Sequence, residues 1–440
     1  MTKFLFFILD LISYLFIIAV VLILRHGEFN LLFFYYNCQI LVPLFLLVAI
    51  ILDIFSFYDL NLIRKKITPY KNILVAFILS LIASSAFIYF MKPLLNIATP
   101  KTVLIGVFVL YFFYTYVSRK LYAKVSFSKT NLLIFGTSRT LNEIKKEINN
   151  SINYNIMGEY ETAKDIDYPK KADEIIIASK LFKQDSSSWD IIAQKLLMKG
   201  YLLTTDLIMY EKIYKRISKE GIKDTMWLLR GIAQRQKSNI TRIIKRLIDF
   251  IFAFFLIIPL FLFIMIPVYI LIKLIDGFDP IFKQARIGQH EKKIFIYKFR
   301  TMKPGTENIT KLGSILRRFR LDEIPQLLNI LKGDISFVGP RPLYQNEYIL
   351  LNKYVPSHAI RSIVKPGLTG WAQLNFKAPP TYCVQENIPS EDKPTDQVFD
   401  AAFKRLAYDI WYIKNQNVFL DLEIILKTAK RAFIKDSHVS

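Results

Sequence analysis

Four apolar runs dominate the first quarter of the chain. They are Phe4 to Leu24, Leu31 to Ile51, Ile73 to Met91 and Thr102 to Val117. The first three match the roughly 20 residues that a helix needs to cross a bilayer, and the fourth is short but flanked by aromatic residues. The pattern predicts four transmembrane helices in a first domain that covers residues 1–125.

Basic residues next to these runs predict the orientation of the bundle. They are Arg64, Lys65, Lys66 and Lys71 between the second and third runs, and Arg119, Lys120, Lys124 and Lys129 after the fourth. Since such residues stay on the cytoplasmic side, both ends of the bundle are expected there. Asp10 interrupts the first run without an evident intramembrane partner, which favours a position near the interface over an ion pathway.

The hydrophobic pattern changes to shorter runs between residues 126 and 229. NLLIFG, ADEIIIAS and YLLTT read as strands, and SRTLNEIKKEINN and WDIIAQKLLMKG read as helices. Their alternation predicts a small parallel α/β domain of the Rossmann-like kind. Gly136 ends the first strand, but GTSRTL lacks the GxGxxG spacing of dinucleotide sites. A structural, regulatory or dimer-forming role is therefore expected, which makes a second copy of the chain a candidate partner.

A fifth apolar run, Leu247 to Leu271, is long enough to span a membrane. It contains Pro259 and Pro267 and has basic residues at both ends. With four crossings before it, a fifth would place the remaining chain outside the cell. The pattern favours a broken helix that enters one leaflet and returns.

Composition and charge narrow the class of protein. The 440 residues are 53% hydrophobic, with 59 Lys and Arg against 36 Asp and Glu, as expected of a membrane protein that handles anions. Nucleic acid is not expected as a partner, because the basic residues share the chain with apolar runs and no nucleic-acid motif is evident. Cys38 and Cys383 lie far apart and the four histidines are scattered, which predicts neither a disulfide framework nor a zinc site.

The candidate chemistry lies in RLDEIPQLLNILKGDISFVGPRP, from Arg320 to Pro342. Asp322 and Glu323 precede Pro325, which is tolerated in a first helical turn, and apolar residues at helical spacing lead to Gly333 as a stop. The pattern predicts a helix whose N-terminal carboxylates lie where a phosphoryl group would be stabilised. Basic residues surround this stretch: Lys298, Arg300, Arg317, Arg318, Arg320 and Arg341. Simple helix capping by the two acids is the alternative.

Four longer motifs extend this pattern. They are IYKFRTM (Ile296 to Met302), SILRRFRLDEIPQLLNILKGDISFVGPRPL (Ser314 to Leu343), KPGLTGWAQ (Lys365 to Gln373) and YDIWYIKN (Tyr408 to Asn415). From about Arg242 to Phe433 the chain resembles the bacterial sugar transferase family, whose members are monotopic polyprenyl-phosphate hexose-1-phosphate transferases, or phosphoglycosyl transferases. The resemblance implies a mainly helical catalytic domain, residues 230–440, with a re-entrant membrane helix at 247–271. It also likens the middle domain to the degenerate nucleotide-binding-like domain of longer members.

The resemblance further implies the reaction and its residues. Asp322 would attack a UDP-sugar as the covalent nucleophile, release UMP and pass the sugar phosphate to undecaprenyl phosphate. Glu323 and Asp322 would hold Mg²⁺. The substrate-binding candidates are Lys298, Arg300, Arg317, Arg341 and Asp409. The protein would then lie in the bacterial inner membrane, with its catalytic domain on the cytoplasmic face, and start the assembly of a capsule, exopolysaccharide or O-antigen.

Some features depart from the family pattern or allow a second interpretation. The family breaks its re-entrant helix at a Ser-Pro pair, whereas this chain offers Pro259 and Pro267, of which Pro267 is preferred because the family's break lies late in the helix. After Gln373 the usual Gly-Arg-Asn is replaced, and an insertion from Ala378 to Pro394 follows, so the sugar is not predicted. Asp409 is equally consistent with a structural ion pair. A catalytically inactive scaffold of the same pathway is the alternative function.

Overall fold

The computed structural model describes residues 2–54, 57–58, 73–95, 101–124, 129–151, 153–161, 172–184, 186–236, 239–306, 308–376 and 396–433. Several predicted features lie outside these ranges, namely the basic connector with Arg64, Lys65, Lys66 and Lys71, the Ala378 to Pro394 insertion, and Cys383. The chain forms two compact units, Met1–Lys129 with Ser151–Asn153, and Thr130–Asn150 with Tyr154–Ser440.

The first unit contains helices at all four predicted apolar runs. They are α1 Thr2–His26, α2 Leu31–Ile54, α3 Ile73–Leu95 and α4 Lys101–Lys124. Three described stretches are long and apolar enough to cross a membrane: Phe6–His26, Leu31–Asp53 and Thr102–Tyr122. In α3 the apolar stretch is the shorter Ala76–Tyr89. Membrane association follows from these helices, while a fourth crossing stays a prediction.

Asp10 has the intramembrane partner that the sequence did not reveal. Its carboxylate is buried and receives two hydrogen bonds from Arg119 of α4, at 2.6 and 2.9 Å. Arg119 also donates to the carbonyl of Phe57, just beyond α2. The expectation of a partnerless acid is therefore wrong, and Arg119 is a buried helix residue rather than a free charge in a connector. Removing either partner would leave a buried charge uncompensated.

The second unit begins with a four-stranded parallel sheet, as the alternating pattern predicted. Its strands are β1 Thr130–Phe135, β2 Tyr154–Tyr160, β3 Glu174–Ile177 and β4 Leu202–Thr205, in the spatial order β2-β1-β3-β4. Its helices are α5 Arg139–Asn149, α6 Ser179–Gln184, α7 Ser186–Met198 and α8 Asp206–Tyr214. The sequence interpretation missed β2, an edge strand whose side chains are only partly buried.

The edge of this sheet where dinucleotide folds bind phosphate is occupied by the protein itself. Asp206 is buried and accepts hydrogen bonds from the Ser138 hydroxyl and the Ser179 amide. Gly136 has φ +80°, and a Cβ there would lie 2.6 Å from the Leu181 side chain. Asp206 thus pairs the Ser138 hydroxyl and the Ser179 amide within the domain, and the structural, regulatory or dimer-forming role of the domain stays a prediction.

The sheet domain continues without a break into the core of the catalytic region. After α8 come α9 Lys219–Lys223 and α10 Thr225–Gln236. Ile217, Ile222 and Leu228 from this stretch belong to one buried cluster together with Leu343 and Leu406. This shared core extends across the predicted domain boundary at residue 229.

The re-entrant prediction corresponds to a bent helical segment. Helix α11, Asn239–Leu260, continues through a π-helical turn, Phe261–Met265, into α12, Ile266–Leu271, and a second π-helical turn, Ile272–Asp276. The axis bends by 47° between Ile258 and Phe261. The choice of Pro267 as the breaking proline is therefore wrong, because the bend lies at Pro259, and a proline inside a helix lacks the backbone donor that would continue it. The wider π-helical turn accommodates Pro267.

The remaining elements build a mainly helical catalytic region. They are β5 Ile281–Ile287, β6 Lys293–Phe299, α13 Lys311–Arg318, α14 Gln326–Lys332, β7 Ser336–Val338, α15 Gln345–Tyr354, β8 Gly367–Thr369, α16 Trp371–Asn375, α17 Asp396–Asn415 and α18 Val418–Phe433. β5 and β6 form an antiparallel hairpin, and β7 pairs with β8 in parallel. A buried cluster joins α11, α14, β7 and α18, which fixes the membrane segment to this region.

Candidate active site

The residues Arg320–Glu323, here called the dyad turn, carry the two adjacent carboxylates. Asp322 and Glu323 lie in a 3₁₀ turn, Leu321–Glu323, and α14 begins only at Gln326 with Pro325 as its N-cap. Gly333 ends α14 at φ +88°, as predicted. The prediction of a first helical turn is thus corrected to a tighter turn before the helix. Proline imposes this separation because its ring fits only the very start of an α-helix.

Arg320 opens the dyad turn in a left-handed conformation, with φ +55° and ψ +24°. Such a backbone is costly for a residue with a Cβ, and strained residues of this kind cluster at functional sites. The Arg320 side chain is largely exposed and lies 3.7 Å from the Glu323 carboxylate. The backbone strain, rather than a strong ion pair, distinguishes this position.

One side chain, that of Asn329, fixes the position of α14 and the preceding dyad turn against β6. Asn329 of α14 is fully buried, accepts a hydrogen bond from the Tyr297 amide and donates to the Phe295 carbonyl. This bridge holds α14 beside the strand that carries Lys298. The Lys298 ammonium consequently lies 3.7 Å from the Glu323 carboxylate.

Arg317 is held beside the dyad by the loop after β6. Its Nε donates to the Thr301 hydroxyl at 2.8 Å. Gly313 makes this approach of α13 feasible, since a Cβ there would lie 2.2 Å from the Thr301 carbonyl oxygen. Thr310 caps α13 through the Gly313 amide and reaches Asp276 at the end of the membrane segment. These contacts connect Arg317 to Asp276, which lies at the end of the bent helical segment.

The charges around the dyad act on one another. Burial raises the pKa of Asp322, the adjacent Glu323 raises it further, and Lys298 and Arg317 oppose both effects. Burial lowers the pKa of Lys298, Glu323 counteracts this, and Arg341 and Arg286 lower it further. The two carboxylates therefore lie among cations, and the pKa of Asp322 responds both to the second carboxylate and to these cations.

Arg341 is exposed on a short rigid segment, Pro340–Leu343, here called the Pro-Arg-Pro loop. Every carbonyl of this loop accepts a hydrogen bond. The donors are the Gly367 amide to Pro340, the Arg361 guanidinium to Arg341, the Arg286 guanidinium to Pro342 and the Ile287 amide to Leu343. With two prolines and four occupied acceptors, the backbone is fixed while the Arg341 side chain stays accessible.

Three glycines explain why VGPRP and KPGLTG meet in space. A Cβ on Gly339 would lie 2.4 Å from the Lys365 carbonyl oxygen, and one on Gly367 would lie 2.0 Å from the Gly339 nitrogen. A Cβ on Gly370 would similarly meet the Gly339 carbonyl oxygen at 2.2 Å. The two backbones cross without side chains between them, which anchors the start of the Pro-Arg-Pro loop.

The described contacts of two sequence candidates are with groups other than the dyad. The Arg300 guanidinium packs over the rings of Phe278 and Phe282, at 6.0 and 5.6 Å, just after the membrane segment. Asp409 is only 2% exposed and lies 3.0 Å from the Arg361 guanidinium. Burial raises the pKa of Asp409, with Arg361 and Arg405 opposing the shift. This enclosure does not fit direct contact between Asp409 and a substrate phosphate.

Sequence reasoning missed the side chains that support the site. Arg286 is 4% exposed, stacks on the Tyr344 ring at 3.3 Å and donates to Gln284. Arg361 is 5% exposed and lies in a 3₁₀ helix, His358–Ile363. Arginines are usually exposed, and only alternation along β5 could have suggested that Arg286 faces inward.

Arg246 and Asp249 anchor α11 to the elements that follow the dyad turn. Arg246 donates to the carbonyls of Ile330 and Leu331 at the end of α14, at 2.6 and 2.7 Å. Asp249 accepts a hydrogen bond from the Phe337 amide in β7. Both contacts hold the membrane segment against the elements that follow the dyad turn.

Comparison with known proteins identifies a family for this part of the chain. The model of the bacterial sugar transferase family matches residues 240–435. Over 204 residues the chain is 37% identical to the uncharacterized sugar transferase EpsL of Bacillus subtilis, covering 44% of this chain and 89% of that protein.

Two longer relatives have more specific names. The Aeromonas hydrophila UDP-N-acetylgalactosamine-undecaprenyl-phosphate N-acetylgalactosaminephosphotransferase is 34% identical over 205 residues, 44% of each chain. The Escherichia coli UDP-glucose:undecaprenyl-phosphate glucose-1-phosphate transferase is 32% identical over 213 residues, 45% of this chain and 42% of that one. The aligned part thus spans less than half of each of these two relatives.

Proposed function

The chain belongs to the bacterial sugar transferase family, and we propose that it transfers a sugar-1-phosphate from a UDP-sugar to undecaprenyl phosphate, through an aspartyl intermediate on Asp322. Its named relatives are undecaprenyl-phosphate sugar-phosphate transferases, which makes an enzyme of this type the conclusion. The product would start the assembly of a capsule, exopolysaccharide or O-antigen.

One observation carries the proposal. Asp322 and Glu323 are half-buried and adjacent, inside a group formed by Lys298, Arg317 and Arg341. In the part of the chain that the structure describes, the cations nearest to Glu323 lie 3.7 Å away, and no ion pair is found for Asp322. A purely structural acid in such a field would be expected to form short ion pairs. Carboxylates left loosely paired among cations suit a site that receives a diphosphate and a nucleophilic attack.

In the first step, a carboxylate oxygen of Asp322 attacks the phosphorus that bears the sugar. The bond between that phosphorus and the oxygen bridging the two phosphates breaks, and UMP leaves with the electron pair. The product is an acyl phosphate that retains the sugar. Lys298 as a point charge, and Arg317 and Arg341 as forked donors, would stabilise the negative charge that develops on the phosphate oxygens.

In the second step, a phosphate oxygen of undecaprenyl phosphate attacks the same phosphorus. The bond to Asp322 breaks and the carboxylate is regenerated. The lipid would reach the site along the exposed apolar surface of the bent helical segment from Asn239 to Asp276, which includes Phe255, Phe263 and Leu274 and suits insertion into a bilayer. Because Thr301 and α13 connect Arg317 to the end of this segment, Arg317 is the candidate that would bind the lipid phosphate beside the dyad.

The donor set of the dyad turn fits Mg²⁺. Its two carboxylates are hard oxygen ligands, and Mg²⁺ typically takes only one or two of these together with phosphate oxygens and water. Glu323 is the better candidate ligand because Asp322 is assigned to the nucleophilic attack, and the cations nearest to Glu323 lie 3.7 Å from its carboxylate. When bound, the ion would offset the diphosphate charge.

A substrate panel tests the reaction. The purified protein should release UMP from one of UDP-glucose, UDP-galactose, UDP-N-acetylglucosamine or UDP-N-acetylgalactosamine, when undecaprenyl phosphate and Mg²⁺ are present. The same panel identifies the sugar. A folded protein that releases UMP from none of them would support the inactive scaffold instead.

A topology experiment tests the cytoplasmic face and the inner membrane. With Cys38 and Cys383 replaced by alanine, cysteines at Lys195 and Thr306, both exposed, should be shielded from an impermeant thiol reagent in intact cells and labelled after lysis. Labelling of Thr306→Cys alone in intact cells would mean that the bent segment crosses the membrane. The re-entrant arrangement would then be wrong.

A further inference from the structure

The two central carbonyls of the Pro-Arg-Pro loop are held by side chains rather than by backbone amides. Arg286 donates to Pro342, and Arg361 donates to Arg341 at 2.9 Å. The Arg361 contact is the more direct one, because it lies on the residue whose side chain is assigned to the substrate. The orientation of Arg341 thus depends on a buried guanidinium.

The Arg361 guanidinium in turn depends on Asp409. The same Nη2 that donates to Arg341 lies 3.0 Å from the Asp409 carboxylate, and the two side chains are 5% and 2% exposed. An arginine so deeply buried needs a compensating charge, and that charge also restricts its orientation. Asp409 is placed for this by α17, where Arg405, one turn earlier, lies 3.8 Å from Glu347 of α15.

A small cavity adjoins the loop on this side. Arg341, Pro342, Arg361 and Ser362 are among its lining residues. Space beside a held backbone means that the loop has somewhere to move once the contact that holds it is lost. We therefore expect Arg341 to shift when the contact from Arg361 is lost.

We propose that Asp409 and Arg361 are positioning residues, with Asp409 orienting the buried Arg361 and Arg361 holding the Arg341 carbonyl so that the Arg341 side chain faces the donor diphosphate. The inference rests on the proposed function for its catalytic consequence. It replaces the expectation that Asp409 itself binds phosphate.

A double-mutant cycle tests the route through Arg341. Arg361→Met should lower kcat/KM by about tenfold to a hundredfold, mainly through KM for the UDP-sugar, because a small displacement of a binding group is costly. In an Arg341→Ala background the same change should cost less than about twofold, since residues that act as a unit are not additive. Equal losses in both backgrounds would overturn the proposal.

Lys414→Met is the matched control. Lys414 is a largely buried cation on the same helix as Asp409, and it pairs with Glu211 at 2.6 Å, away from the Pro-Arg-Pro loop. This variant should lower the unfolding temperature but leave KM for the UDP-sugar unchanged. If it raises KM as much as Arg361→Met does, the effect is one of general stability and the positioning role is rejected.

A double variant covers the case in which Arg361→Met fails to fold. Arg361→Met with Asp409→Asn removes both buried charges and should regain stability while KM stays raised. Recovery of normal KM together with stability would contradict the proposal. Arg361→Lys should recover only part of the loss, because one ammonium lacks the planar fork of a guanidinium.

Hydrogen exchange separates this inference from the proposed function. The segment from Phe337 to Tyr348 should exchange faster in Arg361→Met and in Asp409→Asn than in Lys414→Met. Unchanged exchange there would refute the holding contact whatever the kinetics show. A wild-type protein that releases no UMP would instead refute the proposed function, while exchange would still decide whether Arg361 holds the loop.

Discussion

The dyad turn and the Pro-Arg-Pro loop carry charged groups of opposite sign, and their backbones are supported in different ways. In the dyad turn, Arg320 adopts a strained left-handed conformation, and the cations nearest to Glu323 lie 3.7 Å away. In the loop, every carbonyl from Pro340 to Leu343 has a donor. The dyad turn leaves its carboxylates loosely paired, whereas the contacts of the Pro-Arg-Pro loop hold its backbone.

The difference is the one that the proposed roles of the two regions require. A nucleophile must exchange partners during a reaction, so short permanent ion pairs would compete with the substrate. A group that binds a fixed phosphate works best when its position is set beforehand, because ordering it on binding costs free energy. The structure supports an account in which Asp322 reacts and Arg341 orients.

Replacing the nucleophile should have the largest effect. Asp322→Asn removes the attacking charge at nearly the same volume and should reduce UMP release to background. Asp322→Glu keeps the charge but moves it by about 1 Å, which is expected to cost on the order of a hundredfold. Steady-state UMP release with undecaprenyl phosphate and Mg²⁺ measures both. Normal turnover by Asp322→Asn would reduce Asp322 to a structural acid.

Breaking the backbone crossing should have the next largest effect. Gly339→Ala places a methyl group 2.4 Å from the Lys365 carbonyl oxygen, which is closer than van der Waals contact allows. The free energy of unfolding should fall by at least the value typical of overpacking, about 1–3 kcal/mol. Gly305→Ala is the control, since its Cβ meets nothing within 4 Å and only the φ of +72° is strained, at a cost of about 1 kcal/mol. Thermal unfolding measures the difference, and equal destabilisation would contradict the tight crossing.

Removing the second carboxylate should give a smaller and partly reversible loss. Glu323→Gln keeps the shape but weakens the proposed Mg²⁺ ligand, so activity should fall and recover in part at raised Mg²⁺. Arg320→Gln, which removes the other partner of Glu323, serves as the control and should not shift the Mg²⁺ dependence upward. A loss in Glu323→Gln that Mg²⁺ does not alter would assign Glu323 a role other than metal binding.

The smallest expected effect is a shift in pH dependence. Because burial and Glu323 raise the pKa of Asp322, and only its ionised form attacks, adduct formation should increase with pH through that raised pKa. Glu323→Gln removes a negative neighbour, lowers the pKa of Asp322 and should move the acidic limb to lower pH. Lys298→Met removes a positive neighbour and should move it to higher pH. Adduct formation at saturating Mg²⁺ measures both shifts, and shifts in the same direction would contradict the electrostatic account.

Much of the fold could be predicted because periodicity reports burial. The apolar runs located α1 to α4, and alternating short strands and helices located β1, β3, β4, α5 and α7. The weakly buried edge strand β2 gave no such signal. The bend at Pro259 rather than Pro267 could not be read from the sequence, since a π-helical turn decides which proline is tolerated.

The candidate site also contains residues that the sequence could predict and contacts that it could not. The acidic pair, Lys298, Arg317 and Arg341 could be nominated because their motifs carry them. Pairing between distant residues could not be predicted, so the ion-pair interpretation of Asp409 lacked its partner Arg361, and Asp10 lacked its partner Arg119. Such contacts depend on tertiary packing that no local pattern records. Self-association of the sheet domain stays a prediction, which light scattering of the detergent-solubilised protein would test.

The central claim is that Asp322 carries the sugar phosphate during the reaction. Wild-type protein incubated with the active UDP-sugar and Mg²⁺, but without undecaprenyl phosphate, should gain the mass of one sugar phosphate. Peptide mapping should place this adduct on Asp322, and later addition of undecaprenyl phosphate should remove it. An adduct on another residue, or turnover without any adduct in rapidly quenched samples, would contradict the account.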